Sequence, residues 1–143
     1  MNIYMTGMKI VREKMRMSNL DDAVDKRLLE VTEPAMLIRI NELFRDDMSA
    51  SELYDATRSS WKVSLDRAND VAYALSVYKG IVREVYLVTA WQEADPTAHE
   101  KNKGRFEFIG DIAEDSVRDK YKLKSVKHYF KKGNMAPFMY LNC

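Results

Sequence analysis

Arg58, Trp61 and Lys62 fall within the six residues TRSSWK at positions 57–62. An arginine beside an exposed aromatic ring is a common means of pairing a phosphate while stacking a base. Similar pairs stand at Tyr73, Tyr78 and Lys79, and at Arg105 next to Phe106 and Phe108. Arg58, Trp61, Lys62, Tyr73, Tyr78, Lys79 and Arg105 are therefore the candidate ligand-binding residues. Polar Ser59, Ser60 and Lys62 flank Trp61, so a stacking surface and a core position are both open for it. Trp91 ends an apolar run and reads as a core or capping aromatic. A second cationic feature runs from Lys120 to Lys132, with six lysines, His128 and no acid. Within it, Lys122, Lys124, Lys127, Lys131 and Lys132 are candidates for nucleic-acid backbone contacts, the alternative being an ordinary solvated surface. The segment from Glu42 to Asp55 carries five acids against one arginine, so the net charge of +1 conceals an asymmetry that suggests one basic face.

Catalytic chemistry finds no centre in the sequence. There is no GxSxG, Walker loop, HExxH or EF-hand pattern. The sole cysteine, Cys143, is the last residue, which excludes an intrachain disulfide and a cysteine-based zinc site. His99 lies in a polar stretch and His128 among lysines, and both read as solvated. The carboxylate pairs Asp21–Asp22, Asp46–Asp47 and Glu114–Asp115 sit beside predicted helix starts or turns, where helix-end electrostatics accounts for them. The expectation is a binding protein with no catalytic residue, no cofactor and no metal.

The elements that must position these residues are short. With 143 residues, 46% hydrophobic and 31% charged, the chain fits one domain. Leu20, Val24, Leu28 and Val31 recur at helical spacing after a possible cap at Ser18 or Asn19, so 18–31 is predicted as a helix ending before Pro34. The expected division is an N-terminal helical extension over 1–33 and an α+β domain over 34–143. AMLIRIN (35–41) reads as a strand. Ser49 with Glu52 forms a capping box for a helix over 49–59. A short helix is expected over 64–70. VAYALSVY (71–78) and IVREVYLVTAW (81–91), joined through Lys79-Gly80, read as a hairpin. Neither strand alternates cleanly, which suggests partial burial on both faces, as in a closed or barrel-like sheet. QEADPTAHEKNK (92–103) reads as a loop. GRFEFIGDI (104–112) reads as a strand with Phe106, Phe108 and Ile112 on one side. Helices over 114–121 and 123–130, a turn at 131–134 and a strand at 137–141 complete the chain.

The fold class expected is α+β: a small, strongly curved mixed or antiparallel sheet, or open β-barrel, with short helices around it. The hairpin and the lack of a Gly-rich phosphate loop disfavour a parallel βαβ sheet. A single terminal cysteine and no apolar stretch of membrane-spanning length lead to a cytoplasmic expectation with no membrane partner.

Dispersed motifs over residues 36–140 resemble the C-terminal accessory domain of bacterial GIY-YIG endonuclease-like proteins. They are LIRIN (37–41), LYDATRSSWKVS (53–64), YALSVYKGIVREVY (73–86) with Trp91, RFEFIG (105–110), RDKY (118–121) with Lys124-Ser125-Val126, and GNMAPFMYLN (133–142). No GIY…YIG pair is present, so the resemblance implies the accessory domain and not cleavage. It implies a PUA/ASCH/EVE-like barrel, a bacterial or phage source, an association with nuclease or defence systems, and a nuclease as partner. Such folds read RNA, modified bases or nucleotides in a cleft between barrel and helices. The expected function is a non-catalytic binding module for nucleic acid or a modified base. The alternatives are a small-nucleotide binding or sequestering protein, and a protein-interaction domain that forms a homodimer through the hairpin.

Overall fold

The computed structural model describes residues 29–143, so the helix expected over 18–31 and the extension over 1–33 lie almost wholly outside the described residues. Five strands form one mixed sheet: β1 (Ala35–Arg39), β2 (Tyr73–Tyr78), β3 (Ile81–Glu93), β4 (Phe106–Ile112) and β5 (Phe138–Leu141). Their order across the sheet is β4-β3-β2-β1-β5, which leaves β4 and β5 as edges. The sheet is not closed. Three short helices accompany it among the described residues: α1 (Ala50–Arg58), α2 (Leu65–Ala68) and α3 (Asp115–Tyr121).

The missing alternation of the hairpin has its cause here. Leu37, Leu75, Val77, Val82 and Val85 point into one core with Val117 and Tyr121 of α3. Met36, Ile38, Ala74, Tyr86 and Phe108 point into a second core with Trp61, Val63 and Ala68. Successive residues serve opposite cores, so apolar side chains are required at both parities and no barrel closure is needed. Each such fully buried large side chain contributes roughly 1.5–3 kcal/mol.

The turn of the hairpin is tight. Lys79 and Gly80 have φ of 50° and 75°, the paired positive values that match strand twist in a two-residue connection. The N–H of Lys79 donates to Asn41 Oδ1 at 3.1 Å, which ties the turn to the end of β1. Helix α1 begins at the expected capping box, with Ser49 Oγ accepting from Glu52 N at 3.1 Å and Glu52 Oε1 from Ser49 N at 3.2 Å.

The structure adds detail to the expected elements and departs from some of them. β1 and β2 pair in parallel, in register from Ala35–Tyr73 to Arg39–Val77, because α1 and α2 form a crossover between them. The helix expected over 123–130 shrinks to a 3-10 turn at Lys127–Tyr129. Leu123 has a φ of 63°, and residues 123–126 bond instead to Gly80 and Val82 beside the start of β3. Ile112, expected on the side of Phe106 and Phe108, is 45% exposed. Residues 31–33 pack against the rest of the described residues. Val31 is buried, Tyr121 Oη accepts from Thr32 N at 3.1 Å, and Asn142 Nδ2 donates to the Val31 and Glu33 carbonyls.

Candidate anion-binding site

β1 and β2, being parallel, end on the same side of the sheet. In open sheets, crevices beyond the carboxyl ends of parallel strands are the usual place for ligands. Such a cleft of about 220 Å³ lies here, lined by Arg39, Asn41, Lys79, Gly80, Lys127 and Phe130. Arg39 is the last residue of β1, Lys79 and Gly80 are the hairpin turn, and Lys127 opens the 3-10 turn. Lys127 is held by packing: a Cβ on Gly80 would stand 2.1 Å from Lys127 Cγ, so only glycine lets the lysine stem cross the turn. The carbonyl of Gly80 accepts from Val126 N at 2.8 Å, which fixes the backbone one residue before the lysine.

Three cations thus line one concavity with no carboxylate among the lining residues. The Arg39 guanidinium lies 3.7 Å from the Phe130 ring centroid, and its Nη1 donates to the Asn134 carbonyl at 2.8 Å. It has no acidic partner among the described residues, and burial lowers its pKa from the usual arginine value. Lys79 and Lys127 are exposed and form no ion pair among the described residues. Tyr78 stacks on Phe44 at 4.5 Å, packs against the second core and is not among the lining residues. An anion entering the cleft would meet the Arg39 guanidinium, which has no counter-charge among the described residues.

The expected ligand residues are not gathered in one place. Trp61 is buried, with its Nε1 donating to the Thr57 carbonyl at 2.8 Å and its backbone bridging to Phe106, so it presents no free face to a base. Arg58 donates to the Phe108 carbonyl at 3.0 Å and pairs with Glu107 at 3.1 Å. Arg105 donates to the Ser60 carbonyl at 3.2 Å. These groups secure the outer edge of β4, where Tyr54 Oη also accepts from Gly110 N at 3.0 Å. Lys62 is exposed beside them. Tyr73 sits at the far end of β2 from Tyr78, and its hydroxyl donates to Glu114. That bond raises the Tyr73 pKa to about 12.

The lysine segment also divides. Lys120 pairs with Glu33 at 2.9 Å and Lys122 with Glu84 at 3.4 Å. Lys124, Lys127, Lys131 and Lys132 form no ion pair among the described residues. Burial pushes the Glu84 carboxyl upward, but Arg118 at 2.8 Å, Lys122 and the Val85 N–H outweigh it and hold the pKa below the usual glutamate range.

Arg39 and Asn41 lay outside the candidate set. Arg39 is a lone cation inside an aliphatic strand, a signal visible in LIRIN, but nothing in the sequence placed it opposite Lys127. Among the described residues no group of three histidine, cysteine or acidic side chains could hold a metal ion, and no helix is long and apolar enough to cross a membrane. The hairpin expected to support a homodimer has both strand edges occupied along the body of the sheet.

No protein-family model, curated protein or solved structure matches this chain.

Proposed function

We propose that this protein is a binding module for the phosphate groups of nucleic acid or of a nucleotide, acting through the cleft between the end of β1, the hairpin turn and the Lys127 turn. The observation that carries this reading is the convergence of Arg39, Lys79 and Lys127 on one carboxylate-free concavity, with an aromatic wall at Phe130. Cations supply phosphate affinity and an adjoining ring favours a base or sugar. Lys131 and Lys132, exposed and directly following Phe130, extend the positive charge beyond the cleft. The resemblance of residues 36–140 to a domain that accompanies nucleases, and the PUA-like arrangement it implies, point the same way. A free nucleotide is the second reading, favoured by the small volume of the cleft.

The test is a fluorescence-anisotropy titration with single- and double-stranded DNA and RNA at about 50 mM salt, where backbone contacts are strong. Lys79→Gln with Lys127→Gln, both exposed, is expected to weaken binding at least tenfold, while Lys62→Gln leaves it unchanged. Absence of binding by every nucleic acid, or an equal loss in Lys62→Gln, would overturn the assignment to this cleft.

A further inference from the structure

Resting on the reading above, we infer that the cleft takes a phosphate monoester, such as the phosphorylated end of a strand or of a free nucleotide, in preference to an internal phosphodiester. The first argument is charge. An internal diester carries one negative charge, whereas a terminal phosphate carries about −1.5 to −2 at neutral pH and three acceptor oxygens. Three cations from three separate segments exceed both, and are closer to balance with the second.

The second argument is shape. Proteins that track a strand spread their cations along a groove. Here Arg39, Lys79 and Lys127 face one volume of about 220 Å³, below the roughly 300–1,000 Å³ of sites that enclose a whole drug-sized ligand. The space suits a phosphate with its adjoining sugar, leaving the base outside.

The third argument is the supply of donors. Arg39 commits one Nη1 bond to Asn134, and its remaining guanidinium N–H groups have no partner among the described residues. Asn41 accepts the Lys79 N–H at its Oδ1, and its amide donor has no bond to the described residues. Two lysines add point charges.

The experiment compares one oligonucleotide sequence in four forms: 5′-phosphate, 3′-phosphate, both ends hydroxyl, and a matching 5′-mononucleotide as competitor. The wild type, Lys127→Gln and Lys62→Gln are measured by anisotropy with the label at the opposite end. At least tenfold tighter binding of one phosphorylated form over the hydroxyl form, lost in Lys127→Gln and retained in Lys62→Gln, is the expected result. Competition by the mononucleotide at equal affinity supports the monoester and assigns a free nucleotide as its source. Equal binding of phosphorylated and hydroxyl strands, lost in Lys127→Gln, overturns the monoester preference while leaving nucleic-acid binding at the cleft intact. Failure of every form, mononucleotide included, overturns both.

Discussion

Trp61 and Arg58 show how residue type underdetermines role. Both carry the chemistry of a base-and-phosphate clamp, and both are spent within the fold. Arg58 meets the Phe108 carbonyl and Glu107, and Trp61 meets Thr57 and Phe106. Trp61→Phe removes the Nε1 bond and opens a small cavity. The expected cost is roughly 1–3 kcal/mol in urea unfolding, with phosphate affinity of the folded protein unchanged. A weakened affinity at full stability would instead return Trp61 to the binding site. Glu84 is buried and paired with Arg118 and Lys122. Its pKa is lower in the folded chain than in the unfolded one, so its stabilising contribution is present above the unfolded value and is lost as pH falls through the folded value. Wild-type stability is expected to decline more steeply than that of Glu84→Gln below about pH 4.3, measured by urea unfolding across an acid series. Parallel pH profiles would show that the Arg118 and Lys122 contacts add nothing.

At the scale of elements, the hairpin turn is where fold and site meet. Gly80 supplies a φ of 75° and also the space that Lys127 crosses. Gly80→Ala is expected to destabilise by about 1 kcal/mol or more, from the left-handed backbone alone. Because the new methyl displaces the lysine stem, phosphate affinity is expected to fall as well. Thermal unfolding with and without added phosphate separates the two effects, and unchanged phosphate stabilisation would mean that Lys127 is not held by this packing. The β4 edge carries a different lesson. Trp61, Arg58 and Tyr54 occupy its outward backbone groups, which blunts an edge that could otherwise template strand pairing.

At the scale of the whole molecule, a net charge of +1 hides local imbalance. Lys120 and Lys122 are neutralised by Glu33 and Glu84, while Lys124, Lys127, Lys131 and Lys132 keep their charge unpaired among the described residues. Nucleic-acid affinity is therefore expected to fall steeply with salt. Replacing Lys131 and Lys132 together by Gln should reduce the slope of log K against log salt by about 1 for each lysine that contacts a phosphate. Replacing Lys120 should leave the slope unchanged, and an equal effect at Lys120 would mean that the charge is spread over the surface rather than focused near the cleft.

Local features were legible from residues alone. The capping box at Ser49 and Glu52, the Lys79-Gly80 turn, the central apolar strands and the short helix over 114–121 each depend on interactions within a few positions, which spacing reveals. The continuous apolar character of the hairpin correctly implied burial on both faces, yet it could not distinguish a closed barrel from an open sheet between two cores. The parallel pairing of β1 with β2, and the return of residues 123–126 to the hairpin, join segments far apart in the chain. Only those long-range contacts bring Arg39, Lys79 and Lys127 around one cleft and turn Arg58 and Trp61 inward. The sequence by itself determined which residues carry charge and aromatic surface. The tertiary structure decided which of them still have that chemistry free, because a group already bonded within the fold has little left to offer a ligand.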